Sequence, residues 1–162
     1  MIVVLMGVCG CGKTSVGRAL ADELRWVFVD ADDLHPEANV AKMAAGRPLV
    51  DDDRWPWLER IADELSQMEA RGAHAVLACS ALRQRYRDRI AQGRNVRWVY
   101  LKGDAQTIEP RLASRSGHFM PASLLASQFA ALEEPARAMV VDIRRSITEQ
   151  VAQIASGLRS TV

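Results

Sequence analysis

One stretch near the N-terminus constrains this chain more than any other: Gly7-Val8-Cys9-Gly10-Cys11-Gly12-Lys13-Thr14, which fits GxxxxGK[ST]. It lies between an apolar run, Ile2 to Met6, and an amphipathic segment, which is the setting a phosphate cradle requires. Glycines let successive backbone N–H groups turn toward phosphate oxygens, and Lys13 adds a point charge. The Thr14 hydroxyl is placed to hold Mg²⁺. Gly7, Cys9, Gly10, Cys11, Gly12, Lys13, Thr14 and Ser15 are therefore the candidate nucleotide-phosphate residues.

The remaining pattern alternates strand and helix. Continuous apolar character in Ile2 to Met6 suits a strand buried on both faces of a parallel sheet. Val16, Leu20 and Leu24 mark the helix after it, and Val27-Phe28-Val29 is a second strand ending in Asp30-Ala31-Asp32-Asp33. Residues 34–56 carry Pro36, Gly46, Pro48, Pro56 and the cluster Asp51-Asp52-Asp53-Arg54, which reads as an inserted, substrate-facing segment. Leu58, Ile61, Leu65 and Met68 then stripe a helix stopped by Gly72. Ala73 to Cys79 is the third strand. Leu82, Tyr86 and Ile90 are the buried side of the next helix, with Arg83, Arg85, Arg87 and Arg89 on its exposed side.

Val96 to Leu101 is the fourth strand, followed by Asp104 as a cap and by Pro110, where a helix either starts or kinks. Arg111 to Pro121 is a candidate lid. Pro121 opens a helix with Leu125, Phe129 and Leu132 in register; Ala138 to Asp142 is a fifth strand, and Ile147, Val151, Ile154 and Leu158 stripe the closing helix. The expected fold is α/β: a single three-layer, doubly wound domain over 1–162 with about five parallel strands.

Composition excludes several classes. With 21 basic against 20 acidic residues, nothing pushes the chain toward nucleic acid or an anionic membrane. No stretch approaches the ~20 apolar residues of a membrane span, and Met1 to Met6 is no secretory signal. Cys9, Cys11 and Cys79 are an odd number without a framework spacing, so reduced thiols in a cytoplasmic protein are expected.

Phosphate loops serve motors, switches and kinases alike. The third strand ends in Cys79-Ser80 rather than in the Asp of a Walker B strand, and no NKxD motif is present. Carboxylates stand instead at the end of the second strand, where a substrate hydroxyl is aligned with a γ-phosphate. That favours a kinase for a small alcohol.

Longer motifs narrow the choice. Phe28-Val29-Asp30-Ala31-Asp32-Asp33-Leu34-His35-Pro36, Lys42-Met43, Gly46-Arg47-Pro48-Leu49, Asp51-Asp52-Asp53-Arg54-Trp55-Pro56-Trp57-Leu58 and Cys79-Ser80-Ala81-Leu82-Arg83 closely resemble the gluconokinase family. Gly117-His118-Phe119 and Ser127-Gln128-Phe129 belong to the same pattern, so the resemblance runs from the first strand to Pro135.

The resemblance implies ATP-dependent phosphorylation of D-gluconate to 6-phosphogluconate in the nucleoside-monophosphate-kinase architecture, with members commonly homodimers. Position by position, it implies Asp30 with Thr14 in the Mg²⁺ shell and Asp32 accepting or orienting the attacking hydroxyl proton, an aligning task more than a basic one. Arg54, Arg83 and Arg87 are candidates for the substrate carboxylate, which arginine grips through two parallel hydrogen bonds. His35, Lys42 and His118 are further candidate substrate contacts. In the lid, Arg111 is expected near adenine, while Arg115 joins Lys13 in neutralising the transferring phosphoryl group.

Three features depart from the family, one of them Pro110, which is expected to alter the lid's approach. Serines usual in the phosphate loop are here Cys9 and Cys11, thiols whose place beside Lys13 and a helix N-terminus favours a lowered pKa and sensitivity to oxidant. The stretch Glu133 to Ala138 is short for a nucleotide-base loop, which leaves base selectivity open. The competing readings are a kinase of another hydroxy acid such as shikimate, which the His35-Pro36 and Arg54-Trp55-Pro56-Trp57 pieces disfavour, and a non-catalytic nucleotide-binding module.

Overall fold

The computed structural model describes residues 1–114 and 122–160. Strands β1 (Ile2–Met6), β2 (Val27–Asp30), β3 (Ala75–Ala78), β4 (Val96–Lys102) and β5 (Met139–Asp142) form one parallel sheet in the order β2-β3-β1-β4-β5. The expected α/β fold is the one observed. The most apolar strand, β1, is central, and all five of its residues are buried.

Alternation along β1 divides the core. Val3 and Leu5 face helices α1 (Lys13–Leu24), α5 (Ala105–Ala113) and α7 (Ile147–Arg159), through Val16, Leu20, Ile108, Ile154 and Leu158. Ile2, Val4 and Met6 face α3 (Asp51–Ala70) and α4 (Gln84–Ala91), through Leu58, Ile61, Leu65, Tyr86 and Ile90. The remaining helices, α2 (Glu37–Ala44) and α6 (Ala122–Ala131), stand near the C-terminal ends of the strands, the ligand edge of an open α/β sheet.

Several boundaries depart from the sequence expectations. Residues 34–56 are largely helical: a 3₁₀ turn spans Ala31–Leu34, α2 follows, and α3 begins at Asp51, before Pro56. A proline inside a helix costs about 3 kcal/mol chiefly because a carbonyl loses its donor. Here that carbonyl belongs to Asp52, which is exposed and open to water, and Asp51, Asp52 and Asp53 complement the dipole at the helix start. Likewise α5 begins at Ala105, capped by Asp104 Oδ1, which accepts from Thr107 N at 2.8 Å. Pro110 leaves unbonded only the exposed Gln106. In α7, Ile147 is 45% exposed and does not join the buried stripe.

The α3 layer is locked to the ligand edge by a buried hydrogen bond, from Trp57 Nε1 to Ala31 O at 2.7 Å. Trp57→Phe should lower stability by about 1–3 kcal/mol, since the Ala31 carbonyl loses its donor. Urea unfolding checks this; an unchanged midpoint would show that the bond adds nothing.

Candidate active site

The phosphate loop runs from β1 into α1. Gly12 precedes the helix with φ 99°, and Gly10 has φ 80° with no room for a Cβ, which would meet Leu112 and Ile108 within 3 Å. Helix α1 begins with no side-chain cap and no acidic residue in its first turn. Elsewhere these needs are met internally: Asp104 caps α5, Ser146 caps α7, and Gln84 N at the start of α4 donates to Glu133 Oε2 at 2.6 Å. The N–H groups and positive dipole end of α1 are thus presented to an anion. Lys13 Nζ folds back over the loop, donating to Gly7 O and Val8 O at 3.0 Å each.

Facing this loop is one carboxylate with two partners. Asp30 Oδ2 accepts from Thr14 Oγ1 at 2.8 Å, and Asp30 Oδ1 accepts from Asp32 N at 3.1 Å. The structure therefore unites Thr14, Asp30 and Asp32, as expected from their order in the chain. The donor set of one hydroxyl and one carboxylate oxygen suits Mg²⁺, a hard ion that keeps most of its shell as water and phosphate. The Asp32 pKa is raised from its ordinary value by burial and by the charges of Asp30 and Asp33, against the pull of Lys13. Asp32 still reaches water, so screening keeps the free-energy effect small.

The acceptor side is built by the inserted helices. His35 stacks on Trp57, with ring centroids 4.4 Å apart and planes at 12°. Buried Asn39 spends both Nδ2 protons, on Asp53 O at 2.9 Å and toward His35 Nδ1 at 3.3 Å, which assigns the remaining ring proton to Nε2. Burial and Arg54 hold the His35 pKa below its ordinary value, so the ring is neutral at pH 7. Lys42 is committed to Asp53 at 2.5 Å and pins α2 to α3. Arg54 lies over the Tyr86 ring and makes only long contacts, to Asp51 Oδ1 at 3.4 Å and Tyr86 Oη at 3.3 Å.

The arginines of α4 differ from expectation. Arg87 is not a surface residue: it is 2% exposed, and its guanidinium is engaged by the protein itself, donating to Ala81 O at 2.9 Å, Leu82 O at 3.2 Å and Gln84 Oε1. Ala81 has φ 42°, a left-handed conformation unusual for a residue with a Cβ, and Arg87 braces that turn. Arg85 and Arg89 pair with Asp51 and Glu59, joining α4 to α3. Arg83, at the N-cap of α4 just past β3, is half-buried, with no acceptor for its guanidinium among the described residues.

On the nucleotide side, Arg111 Nη2 donates to Ile143 O at 2.6 Å, in the connection from β5 to α7. In the stretch that is short for a base loop, Glu133 serves Gln84 and Leu82, and Glu134 serves Lys102 and Tyr100. Cys11 is fully buried with Sγ 3.9 Å from Lys13 Nζ, and burial pushes the Cys79 thiol up to about 12. Of the loop thiols only Cys9 approaches solvent, and no disulfide joins the three. Arg115 and His118 lie outside the described residues.

Some site residues were given no role from sequence. Gln128 Oε1, on α6, accepts from Cys9 N at 2.7 Å and ties the helix after the lid to the phosphate loop. Its signal was its place in Ser127-Gln128-Phe129, but a contact across 119 positions has no periodicity to reveal it. Tyr86 read only as a core residue, yet its hydroxyl donates to Asp51 Oδ1 at 2.5 Å.

A glycine loop opening an uncapped helix, set against paired carboxylates at the end of the next strand in the chain, defines a phosphate-loop kinase. Residues 2–135 match the family described as AAA domain. The thermoresistant gluconokinase of Escherichia coli is 44% identical over 93% of this chain and 89% of its own length. A crystal structure of a sugar kinase from Janibacter sp. superposes with TM-score 0.89 at 41% identity, covering 98% of this chain and 94% of that one. A gluconokinase structure from Sinorhizobium meliloti gives TM-score 0.84 at 38% identity, over 98% and 95% of the two chains. The chain belongs to the gluconokinase family of phosphate-loop kinases.

An Asp32 that works as a carboxylate makes turnover fall as pH drops through a value above the ordinary Asp pKa, and Asp32→Asn should abolish that acid limb. The variant should lower kcat by about a hundredfold or more with little change in ATP affinity. Because the folded-state pKa is raised, ionised Asp32 opposes folding above that pKa, so Asp32→Asn should not lower the melting temperature at pH 7. Near wild-type turnover would remove Asp32 from the chemistry.

Proposed function

We propose that this protein transfers the γ-phosphoryl group of ATP to D-gluconate, giving 6-phospho-D-gluconate and ADP in the presence of Mg²⁺. The observation that carries the reading is Asp30, whose two hydrogen bonds tie the nucleotide-side Thr14 to the backbone of the acceptor-side Asp32. Relatives named gluconokinase, matching most of this chain, support gluconate as the acceptor.

The loop amides from Gly10 to Thr14 and the Lys13 ammonium cradle the β- and γ-phosphates. Thr14 and Asp30 would hold Mg²⁺, which when bound neutralises charge on those phosphates. Asp32 orients the terminal hydroxyl of gluconate and takes its proton; the hydroxyl oxygen bonds to the γ-phosphorus as the bond to the β,γ-bridging oxygen breaks and ADP leaves. Arg54 and Arg83, whose guanidiniums are the least engaged on the acceptor side, hold the gluconate carboxylate, and His35 Nε2–H meets a hydroxyl. Lys42 acts through Asp53 by fixing α2. Arg115 and His118 complete the closed lid, and Arg111 flanks the base. Unbridged thiols accord with work in the cytoplasm.

A coupled ADP-release assay over gluconate, shikimate, other sugar acids and nucleoside monophosphates tests this reading. Gluconate should be preferred by at least about a hundredfold in kcat/KM, since sites that hydrogen-bond several hydroxyls reject analogues lacking them. ADP release at one rate with every acceptor would defeat it.

A further inference from the structure

A cavity of about 160 Å³ lies beside the phosphate loop, walled by Gly10, Gly12, Ser15, Arg111, Ile147 and Gln150. The loop supplies its floor and the Arg111 guanidinium, fixed by the Ile143 carbonyl, supplies a flat cationic wall on which an aromatic ring can stack. Gln150 is 3% exposed, and its Nε2 donates to Arg145 O at 2.8 Å. That bond sets the amide's orientation, because a flipped amide would face one carbonyl oxygen with another. Gln150 Oε1 is then the one buried side-chain polar atom without a hydrogen-bond partner among the described residues. Buried acceptors are almost always satisfied, so this orphan, on a residue that lines the cavity beside the phosphate loop, calls for a partner.

We propose that Gln150 is a specificity-determining residue that reads the nucleotide base, its Oε1 accepting a hydrogen bond from the exocyclic amino group of adenine stacked on Arg111. A purine with a carbonyl at that ring position would set acceptor against acceptor. The inference rests on ATP as the phosphoryl donor and is independent of the acceptor. It also accounts for base choice in a chain whose 133–138 stretch serves α4 and β4 instead.

Calorimetry on the whole protein compares ADP with purine riboside 5′-diphosphate, which has hydrogen in place of the amino group. The native protein should bind ADP about five- to tenfold more tightly, the worth of one neutral hydrogen bond. Gln150→Leu should weaken ADP by that factor while leaving the analogue within about twofold, since only ADP can use the lost acceptor. Equal affinity of the native protein for the two ligands would overturn the proposal even if the variant failed to fold, and leave the kinase reading standing. Equal weakening of both ligands by Gln150→Leu would overturn it too, marking Gln150 as merely structural. A preference for ADP with no turnover of gluconate would support Gln150 and remove the acceptor assignment.

Discussion

The site depends on a single carboxylate that serves two neighbours at once. Asp30 receives the Thr14 hydroxyl on one oxygen and the Asp32 amide on the other. Sheet register makes this possible: Leu5 of β1 pairs with Ala78 of β3, which pairs with Asp30 of β2, so the strands reach the ligand edge level with one another. β3 stands between loop and carboxylate, a gap of about two strand spacings, ~10 Å. The Thr14 side chain at the start of α1 and the Asp30 side chain at the end of β2 meet across it. Gly7 N, donating to Ser80 O at 3.3 Å, secures the same crossing from below.

Around that link the acceptor side is assembled mostly from ion pairs and stacked rings. Lys42 with Asp53 holds α2 to α3; Asp51 gathers Arg54, Arg85 and Tyr86; and His35 lies flat on Trp57. Exposed pairs of this kind stabilise a fold little. Their consequence is positional: Arg85 and Arg89 are tied to α3, while Arg54 keeps only long contacts and Arg83 has no acceptor among the described residues. Arg87 contributes from the interior by holding the left-handed turn at Ala81, from which Arg83 emerges.

How much of this was legible depended on whether a signal was local. The sheet, the phosphate loop and the carboxylates after β2 follow from short apolar runs and a contiguous motif, and each lies where its pattern placed it. Pro56 and Pro110 misled because a proline disrupts a helix through a carbonyl one turn earlier; the residue that carries it is exposed in both places, a property of packing and not of sequence. Arg83 and Arg87, one helical turn apart, are both sequence candidates for the substrate carboxylate, yet only the fold shows Arg83 half-buried at the N-cap of α4 and Arg87 buried in the interior. Gln128 acts on a partner set by tertiary structure, and no period marks a glutamine for such a role.

The central claim, that the charge on Asp30 joins nucleotide and acceptor chemistry, is tested most directly by Asp30→Asn. An asparagine can keep both hydrogen bonds, its oxygen accepting from Asp32 N and its amide donating to Thr14 Oγ1, so geometry survives while charge is removed. Turnover with saturating ATP, Mg²⁺ and gluconate should fall by about a hundredfold or more, with the melting temperature retained and nucleotide affinity no longer raised by Mg²⁺. A variant that turns over at the wild-type rate, with Mg²⁺ still tightening the nucleotide, would contradict the account.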